Sequence, residues 1–572
     1  MKLSVFDRHY TKYEWVNNDG LVINEGPNPL HYKLLDGDKL LDGDNCESKI
    51  MLHTSRYRTG HVTGVLNLSG KTYGKYKDKS LYKCYPNCKG LPIFLIPYQE
   101  RRTGFSKFKV DSYVQFEFIE WTEKHPYGKL VQTIGPVTDN NAFKEYLLLC
   151  KEVNHSTQKL NKIITMKIRN DLNMSFDKYG FEDRTTRHIF AIDPPGCSDA
   201  DDAMGIYKSF DGKHDIISVY ISAVPVWLEM LNIWDELTQY LERVSTIYFP
   251  DERRHMLPTK LSEGLCSLKS TISRPVLAMD ILVDNGVIKN VTFSVAIVKL
   301  SNNYEYESNT LLIDKDYIQI IKLIVQMNKI YNYKEMIKDS HDVVEYLMLM
   351  MNHHTGLFLR NGRGLFRKFR AKNTLTSMEV PEHLKQFVRT WGSEGGQYTT
   401  DIVSCKHDMM PDIVDVYAHV TSPIRRVADL VNMIILLNNI GINTKGDAFV
   451  ERWLQNVDVL NERMKAVRQV QNDVALLYKC IALDTNVDAN VDTNVDANVD
   501  STTKYNGYVV SVDPCSFSSG QFKHCVFIPE LNCVGRIRLD KKLELYACGT
   551  YTIHLFLDAD SLCKKVRLHF IE

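Results

Sequence analysis

The chain has 572 residues, of which 44% are hydrophobic and 24% are charged, a balance typical of a globular protein with several domains. Its 70 basic and 70 acidic side chains cancel, so a nucleic-acid site would be a local basic groove rather than a global positive field. The sequence lacks an 18-residue apolar run, the apolar core of a signal peptide and a disulfide-framework spacing of its 13 cysteines. We therefore expect no membrane attachment and a cytoplasmic location, or a nuclear one.

The first 175 residues predict β structure in two small units. Residues 1–50 indicate no chemistry, whereas residues 51–95 contain short alternating strands that glycines separate. Residues 96–175 contain longer alternating strands that end at proline or glycine turns, as in a small OB-type barrel. Cations alternate with rings near residue 105, which indicates either a single-strand binding face or a solvated loop beside core aromatics. The residues concerned are Arg101, Arg102, Phe105, Lys107, Phe108 and Lys109.

Four carboxylates follow an apolar, strand-like run at residues 189–192: Asp193, Asp199, Asp201 and Asp202. Pro194, Pro195 and Gly196 predict a loop between them rather than a helix. Two carboxylates about 4 Å apart repel by roughly 4 kcal/mol at an effective dielectric constant near 20. A shared proton or a divalent cation would offset this repulsion, and Mg²⁺ suits oxygen ligands with open positions for water and phosphate. The alternative is a solvated acidic turn.

Residues 176–483 predict one long α/β block. A strand is expected over 216–224, helical spacing over 315–360, and one long helix over 451–483. Residues 361–372 combine five cations with two phenylalanines, and Arg367, Lys368 and Arg370 are candidates for tracking phosphates there. A solvated basic loop would have the same composition.

The segment T-S-P-I-R-R at 421–426 predicts a phosphate site. Pro423 is expected to open a helix whose first turn carries Arg425 and Arg426. Amide groups at a helix start and guanidinium forks both favour phosphate.

The C-terminal part contains a low-complexity segment and a second β region. Residues 484–502 repeat Asp, Asn, Thr, Ala and Val, which indicates a disordered linker, with a calcium-binding array as the alternative. Residues 503–572 contain four or five short alternating strands, enough for a small barrel.

Four segments together resemble the family of ribonuclease II, ribonuclease R and the exosome catalytic subunit, the RNB-domain exoribonucleases. They are A-I-D-P-P-G-C-S-D-A-D-D-A (191–203), L-E-R-V-S-T-I-Y-F-P (241–250), H-M-L-P-T-K-L-S-E-G-L-C-S-L (255–268) and T-S-P-I-R-R. The resemblance implies a multidomain α/β and β fold. Cold-shock-like OB barrels at 51–95 and 96–175 would precede an RNB α/β catalytic domain at 176–483, and an OB-type RNA-binding domain would close the chain at 503–572.

The resemblance also implies 3′-to-5′ hydrolysis of single-stranded RNA to nucleoside 5′-monophosphates. The four aspartates would hold one or two Mg²⁺ ions, or Mn²⁺, with Asp201 also catalytic. Tyr248 would stack on the 3′-terminal base and Arg425 would contact the scissile phosphate, with Arg426, Ser422 and His419 supporting it. Single-stranded RNA is the implied partner of a monomer or of a subunit in a larger RNA-decay assembly.

Three positions depart from the family pattern: Ala223 replaces Asp, Val427 an aromatic residue and Asn432 a His. None of them is a proposed metal ligand or Arg425, so they concern the rate or the handling of substrate. Ala223 and Asn432 support the alternative that the chain is a catalytically weak RNA-binding protein with the RNB fold, whereas the intact set of four aspartates is evidence against it.

Overall fold

The computed structural model describes residues 1–17, 19–23, 26–42, 49–99, 109–171, 176, 179–368, 380–381, 384, 387, 396–403, 414–484, 499–500, 503–514 and 521–571. The chain forms two compact units. The first comprises residues 1–154 and 472–572, and the second comprises residues 155–471. Along the described part of the chain, no helix has the length and apolarity needed to cross a membrane.

Two sheets occupy the N-terminal part of the first unit. Their strands are β1 (Lys2–Val5), β2 (Tyr13–Val16), β3 (Val22–Ile23), β4 (Lys39–Asp42), β5 (Lys49–Leu52), β6 (His61–Leu66), β7 (Lys75–Tyr76), β8 (Lys79–Pro86), β9 (Phe94–Tyr98), β10 (Ser112–Glu120) and β11 (Tyr127–Pro136). The first five strands form one sheet in the order β3-β2-β1-β4-β5. The others form a sheet in the order β6-β10-β11-β9-β8-β7, and an additional β6–β8 pairing closes it into a barrel. The helix α1 (Asn140–Cys150) follows.

The boundary predicted between residues 95 and 96 falls inside β9. This strand pairs antiparallel with β8 and parallel with β11, so its backbone hydrogen bonds join the two predicted β units into one barrel. Of the cation-rich segment around residue 105, Arg101, Arg102, Phe105, Lys107 and Phe108 lie outside the described residues. Lys109 donates from Nζ to the Tyr82 hydroxyl at 2.8 Å.

The C-terminal strands of the first unit are β23 (Val499–Asp500), β24 (Tyr505–Pro514), β25 (Phe522–Ile528), β26 (Cys533–Leu539), β27 (Cys548–Leu557) and β28 (Lys564–Phe570). They pair in the order β23-β27-β24-β25-β26, and β28 pairs with β27. A Cβ atom at Gly535 of β26 would lie 2.2 Å from Leu568 of β28, so glycine permits these two strands to approach. The predicted barrel-like β region is confirmed, whereas most of the repeat before it, residues 485–498, lies outside the described residues.

A seven-stranded sheet organises the second unit. Its strands are β12 (Glu182–Asp183), β13 (Ile189–Asp193), β14 (Asp202–Lys208), β15 (Asp215–Ser222), β18 (Ser273–Asp284), β19 (Val287–Lys299) and β20 (Asn302–Glu305), in the order β12-β19-β18-β15-β14-β13-β20. Two-residue or three-residue strands form separate ribbons, β16 (Ile247–Tyr248) with β17 (Arg253–Arg254) and β21 (Phe366–Lys368) with β22 (Gln397–Thr399).

The apolar run at 189–192 is confirmed as a strand that is buried on both faces. Phe190 and Ile192 pack into the large core that the helices share, whereas Ile189 and Ala191 point into a second cluster on the opposite face. This alternation is the period of two that a β-strand imposes on its side chains.

The helices of the second unit are α2 (Gln158–Asp171), α3 (Val224–Leu231), α4 (Trp234–Tyr240), α5 (Asn309–Leu312), α6 (Lys315–Tyr331), α7 (Ser340–Leu359), α8 (Val427–Asn439) and α9 (Asp447–Gln455), and α10 (Val457–Asp484) continues beyond it. The single helix predicted over 451–483 is therefore wrong, because the backbone leaves the helical conformation at Asn456, with φ −115° and ψ 38°. The strand predicted over 216–224 ends at Ser222, since α3 begins at Val224.

Candidate active site

The aspartate loop connects two adjacent antiparallel strands, and neighbouring backbone fixes its path. Asp193 ends β13 and Asp202 begins β14. The Ala200 amide donates to Ser267 Oγ at 3.1 Å, and the Ala200 carbonyl accepts from the Leu268 amide at 3.0 Å. Gly196 has φ +72°, a conformation that favours glycine. Hydrogen bonds to neighbouring backbone and side chains therefore fix the conformation of the loop. It is not the solvated acidic turn that the sequence alone allowed.

Asp201 lies buried at the centre of the site and pairs with the T-S-P-I-R-R segment. Its Oδ1 accepts from the Ile424 amide at 3.0 Å, and its Oδ2 accepts from Arg425 Nε at 3.0 Å. Burial raises the pKa of Asp201 to about 7, although the Arg425 charge acts in the opposite direction. The side chain of Arg425 is 43% exposed, so part of its guanidinium faces solvent while Nε holds the carboxylate.

Asp202 senses the charges of Asp193 and Asp201. Burial raises the pKa of Asp202 to about 8, and the carboxylates of Asp193 and Asp201 add to this rise. Burial also raises the pKa of Asp193, while a hydrogen bond with Cys197 partly opposes the shift. The ionised forms of these carboxylates are therefore poorly solvated in their buried environment.

Asp199 faces two basic side chains. Its Oδ1 lies 3.5 Å from Arg253 Nη1, and its Oδ2 lies 3.8 Å from His255 Nδ1. Counting only partners among the described residues, Oδ2 is buried without a hydrogen bond. An unsatisfied buried carboxylate oxygen is a position where an additional cation or donor would be stabilising.

The fit of this site to a metal ion is partial. Among the described residues, no three His, Cys, Asp or Glu side chains form a ready set of metal ligands. The donor set is nevertheless all oxygen, and the carboxylates of Asp193 and Asp201 contribute to the raised pKa of Asp202, which indicates charge that a cation would compensate. The carboxylates therefore suit a hard divalent cation by donor type and charge, but the described side chains do not place three ligands around one point.

The helix predicted to open at Pro423 begins at Val427, so this prediction is wrong. Arg425 lies in the preceding turn, and Arg426 occupies the N-cap position with φ −139° and ψ 130°. The Arg425 carbonyl accepts from the Thr246 amide at 3.0 Å, and the Val427 amide donates to the Val244 carbonyl at 2.9 Å. These bonds hold the segment against residues 244–246 and delay the helix.

Ser422 and Arg426, both predicted to support RNA contact, are turned toward the buried Asp429. The Ser422 amide donates to Asp429 Oδ1 at 2.9 Å, and Arg426 Nη2 donates to the same oxygen at 2.8 Å. Burial lowers the pKa of Arg426, and the Asp429 charge more than offsets it, so that the pKa is raised. In this structure the two residues brace the turn that carries Arg425.

His419 and Arg367 both contact Tyr398, and Lys368 follows Arg367 on β21. His419 Nδ1 is 2.9 Å from the Tyr398 hydroxyl, and the Arg367 guanidinium lies 5.2 Å from the centre of the Tyr398 ring. Arg367 and Lys368 are half-buried on β21. Arg370, the third predicted cation, lies outside the described residues.

Tyr248 borders the carboxylates. It lies opposite Arg253 in the β16–β17 pair, and its side chain is 38% exposed. Burial raises its pKa to about 12, and Arg425 and Asp199 are among the charges that it senses. A half-exposed, protonated ring beside the carboxylates is suited to stack on a base.

A profile of the RNB domain matches residues 181–319, which include all four aspartates and Tyr248. This segment is similar to the RNB domain. The resemblance seen in the motifs is thereby confirmed. The exosome complex exonuclease RRP44 of Homo sapiens is 25% identical over 268 residues, which are 45% of this chain and 27% of that protein. Ribonuclease R of Mycoplasmopsis pulmonis is 30% identical over 163 residues, 27% of this chain and 22% of that protein. The chain thus matches about a quarter of the length of these relatives.

Solved structures of related fold cover more of the chain. Mycoplasma genitalium RNase R, in complex with ribose methylated single-stranded RNA, superposes with a TM-score of 0.70 at 15% identity, over 99% of this chain and 100% of that one. Yeast Ssd1, described as a pseudonuclease, superposes with a TM-score of 0.58 at 14% identity, over 91% of this chain and 71% of that one. The multidomain α/β and β fold with barrel-like sheets is confirmed.

The three departures occupy buried positions beside the RNB site. Asn432 is fully buried, and its amide nitrogen donates to the carbonyls of Leu365 and His419, each at 2.9 Å. Its Oδ1 accepts from the Leu365 amide at 2.8 Å. Ala223 precedes α3 and Val427 begins α8, both packed in the interior. Asn432 therefore supports the backbone beneath His419, while the other two positions fill space.

Tyr306 is a neighbour of the RNB carboxylates that sequence reasoning missed. It follows β20, which pairs in parallel with β13, and its amide donates to the Asp193 carbonyl at 3.3 Å. Burial raises its pKa to about 12, with added contributions from Asp202 and Asp193. Its ring stacks on His341 at 3.7 Å between centres. Only the pairing of β13 with β20 reveals this position, because about 110 residues separate the two segments. Arg253 and His255 were also missed.

Proposed function

We propose that this chain is a 3′-to-5′ exoribonuclease that hydrolyses single-stranded RNA to nucleoside 5′-monophosphates. The observation that carries the proposal is the pairing of buried Asp201 with the half-exposed Arg425, 224 positions apart in the chain. It joins an acidic cluster to a guanidinium that still faces solvent. This is the charge arrangement that a phosphodiester needs at its point of cleavage.

In this proposal Asp193, Asp199, Asp201 and Asp202 hold one or two Mg²⁺ ions, with Mn²⁺ as a substitute. A bound metal would supply an activated water and neutralise charge on the departing 3′ oxygen. The protein's own residues supply the rest. Arg425 neutralises charge that develops on the phosphoryl oxygens, an interaction typically worth about 3 kcal/mol in the transition state. Tyr248 stacks on the terminal base, worth about 1–3 kcal/mol without regard to base identity.

The relatives support the reaction class. RRP44 is named an exosome exonuclease, and M. genitalium RNase R has been solved with single-stranded and with double-stranded RNA. We extend single-stranded RNA to this chain as the substrate, with Arg367 and Lys368 as further RNA contacts. Membership of a larger RNA-decay assembly is part of the same proposal, because exosome subunits are among the relatives.

A second candidate is an RNA-binding protein with little turnover. It is favoured by the likeness to the pseudonuclease Ssd1 and by the lack, within the described residues, of a ready three-ligand metal group. The presence of all four aspartates and of Arg425 counts against it.

A labelled-strand assay separates the two candidates. A 3′-labelled single strand is incubated with Mg²⁺, with and without chelator, and its binding is measured in parallel. The exonuclease releases labelled mononucleotide from the first turnovers, and only with metal, whereas the binder retards an intact strand. Asp201→Asn should lose cleavage and keep RNA binding, since it removes a negative charge near phosphate. The exposed Asp211→Asn provides the matched charge control. A full rate in Asp201→Asn would remove Asp201 from the mechanism.

A further inference from the structure

Two basic residues after Tyr248 face Asp199, one toward each oxygen of the carboxylate. Arg253 Nη1 lies 3.5 Å from Oδ1, and His255 Nδ1 lies 3.8 Å from Oδ2. The short β16–β17 ribbon places this segment beside the loop, with Arg253 opposite Tyr248.

The two basic residues are held differently. The His255 side chain is 11% exposed, and its Nε2 lies 3.0 Å from Glu263 Oε1. That same oxygen accepts from Ser198 Oγ at 2.8 Å, and Ser198 directly precedes Asp199. The side chain of Arg253 is 38% exposed, and its contacts with Asp199 and with the Gly196 carbonyl are both 3.5 Å long. His255 is therefore an anchored neighbour of Asp199, and Arg253 is a loosely held one.

The atoms that face each other across the His255 contact both lack a hydrogen bond. With partners sought throughout the described chain, neither Asp199 Oδ2 nor His255 Nδ1 has one, and both are buried. Their separation of 3.8 Å exceeds hydrogen-bond length. A small rotation of the carboxylate would let the imidazolium form of His255, which carries a proton on each ring nitrogen, donate from Nδ1 to Oδ2 while Nε2 donates to Glu263. Glu263 keeps the imidazole ring in place for this contact.

We propose that His255, held by Glu263, is a positioning residue that orients the Asp199 carboxylate for cation binding. The imidazole ring would form a hydrogen bond with Oδ2. Oδ1 would then remain available to the cation on the half-exposed side, where Arg253 lies. The inference rests on the proposed function, because Asp199 needs a fixed orientation only if it binds the metal. Partners that orient metal ligands in this way typically contribute about 10- to 100-fold to metal affinity or activity.

The test uses the full chain and four variants: His255→Ala, His255→Gln, Asp199→Asn and His214→Ala. His214 is the matched control, because its Nδ1 also lies 3.8 Å from an aspartate, Asp284, at the far end of the β14–β15 pair. Mn²⁺ binding to the RNA-free protein is measured by electron paramagnetic resonance of the free ion. Mg²⁺-dependent kcat and KM, RNA affinity and thermal unfolding are measured on the same samples.

We expect His255→Ala to weaken Mn²⁺ binding and lower kcat by about 10- to 100-fold, with RNA affinity and KM unchanged within twofold. His255→Gln should recover part of both losses, because its amide can still donate toward Asp199. His214→Ala should match the wild type. If His255→Ala does not fold, His255→Gln carries the same comparison, with a smaller expected loss of Mn²⁺ affinity.

Two results would overturn the inference while leaving the proposed function standing. One is unchanged Mn²⁺ affinity and kcat in His255→Ala beside an inactive Asp199→Asn. The other is a lower thermal stability of His255→Ala with unchanged Mn²⁺ affinity, which assigns His255 a purely structural role. Normal cleavage by Asp199→Asn would instead refute the metal site, and the inference with it.

Discussion

Arg425→Ala is the perturbation that tests the core of the site most directly. Arg425 Nε contacts Asp201 Oδ2 at 3.0 Å, and at an effective dielectric constant near 20 two unit charges at that distance attract by about 5–6 kcal/mol. The side chain of Arg425 is 43% exposed, so solvent screening reduces the net contribution to about 1–2 kcal/mol. Asp201, whose pKa is already raised to about 7, would take up a proton when the guanidinium is lost, which limits the cost to stability further.

The effect on catalysis should be much larger than the effect on folding. Removing one charge-stabilising donor from a transition state typically lowers kcat by about 10²–10³-fold. We therefore expect Arg425→Ala to fold with a modestly lower melting temperature and to cleave about 10²–10³-fold more slowly. The cleavage rate of Arg425→Lys should be intermediate, because a single ammonium group cannot pair with Asp201 and also contact the phosphate as a guanidinium can.

Single-turnover cleavage of a 3′-labelled strand, with protein in excess, measures the chemical step apart from RNA binding. Thermal unfolding of each variant provides the control for folding. Cleavage by folded Arg425→Ala within threefold of the wild-type rate would refute the role of this guanidinium. An inactive but fully unfolded variant would leave Arg425→Lys to decide.

Three further predictions concern residues around the same site. Tyr248→Ala should lengthen the final RNA product on a sequencing gel, while the dissociation constant for long RNA changes little. The reason is that one stacked ring contributes about 1–3 kcal/mol among many contacts. Unchanged end products would contradict the role of Tyr248. Asp429→Ala should lower the free energy of unfolding by about 3–5 kcal/mol in denaturant titration, because it leaves Arg426 without its buried partner; a change below 1 kcal/mol would contradict this. Asn432→Ala should lower the free energy of unfolding by at least about 2 kcal/mol in the same measurement, because two buried backbone groups of Leu365 and the half-buried His419 carbonyl lose their hydrogen bonds. Asn432→His should retain part of this stability.

Local patterns in the sequence were sufficient for the elements on which the site is built. The apolar run before Asp193 is β13, and the prolines and Gly196 do form a loop that returns into β14. The start of α8 could not be predicted in the same way. Pro423 is a suitable first helical residue by itself, but backbone hydrogen bonds from Val427 to Val244 and from Thr246 to Arg425 hold the segment in another conformation. Contacts across some 180 residues leave no trace in a local pattern.

The meeting of Asp201 with Arg425 illustrates the same limit more sharply. Charge and spacing identified each segment as a candidate, but only the family resemblance placed them together before the structure did. Tyr306 belongs to none of the motifs that carry the family resemblance. Its position depends on the parallel pairing of β13 with β20. Arg253 and His255 lie only five and seven residues beyond Tyr248, yet their orientation toward Asp199 depends on the β16–β17 register. Sequence reasoning thus located the chemistry, and topology supplied its geometry.

The carboxylates of this site outnumber the basic side chains that pair with them. This excess of acidic groups bears on the order in which metal and RNA would bind. Arg425 pairs with Asp201 and Arg253 lies near Asp199, whereas Asp193 and Asp202 have no ion pair with any described residue. A phosphodiester that approaches these two groups in their ionised forms meets like charges, each worth roughly 4 kcal/mol of repulsion at 4 Å and an effective dielectric constant near 20. Asp202, whose pKa is about 8, carries its full charge only above that pH. One guanidinium cannot offset both while it also holds Asp201. In the mechanism proposed above, a divalent cation would therefore enter with the 3′-terminal phosphate or before it. We expect the seating of the RNA end to depend on metal even where binding of the rest of the strand does not.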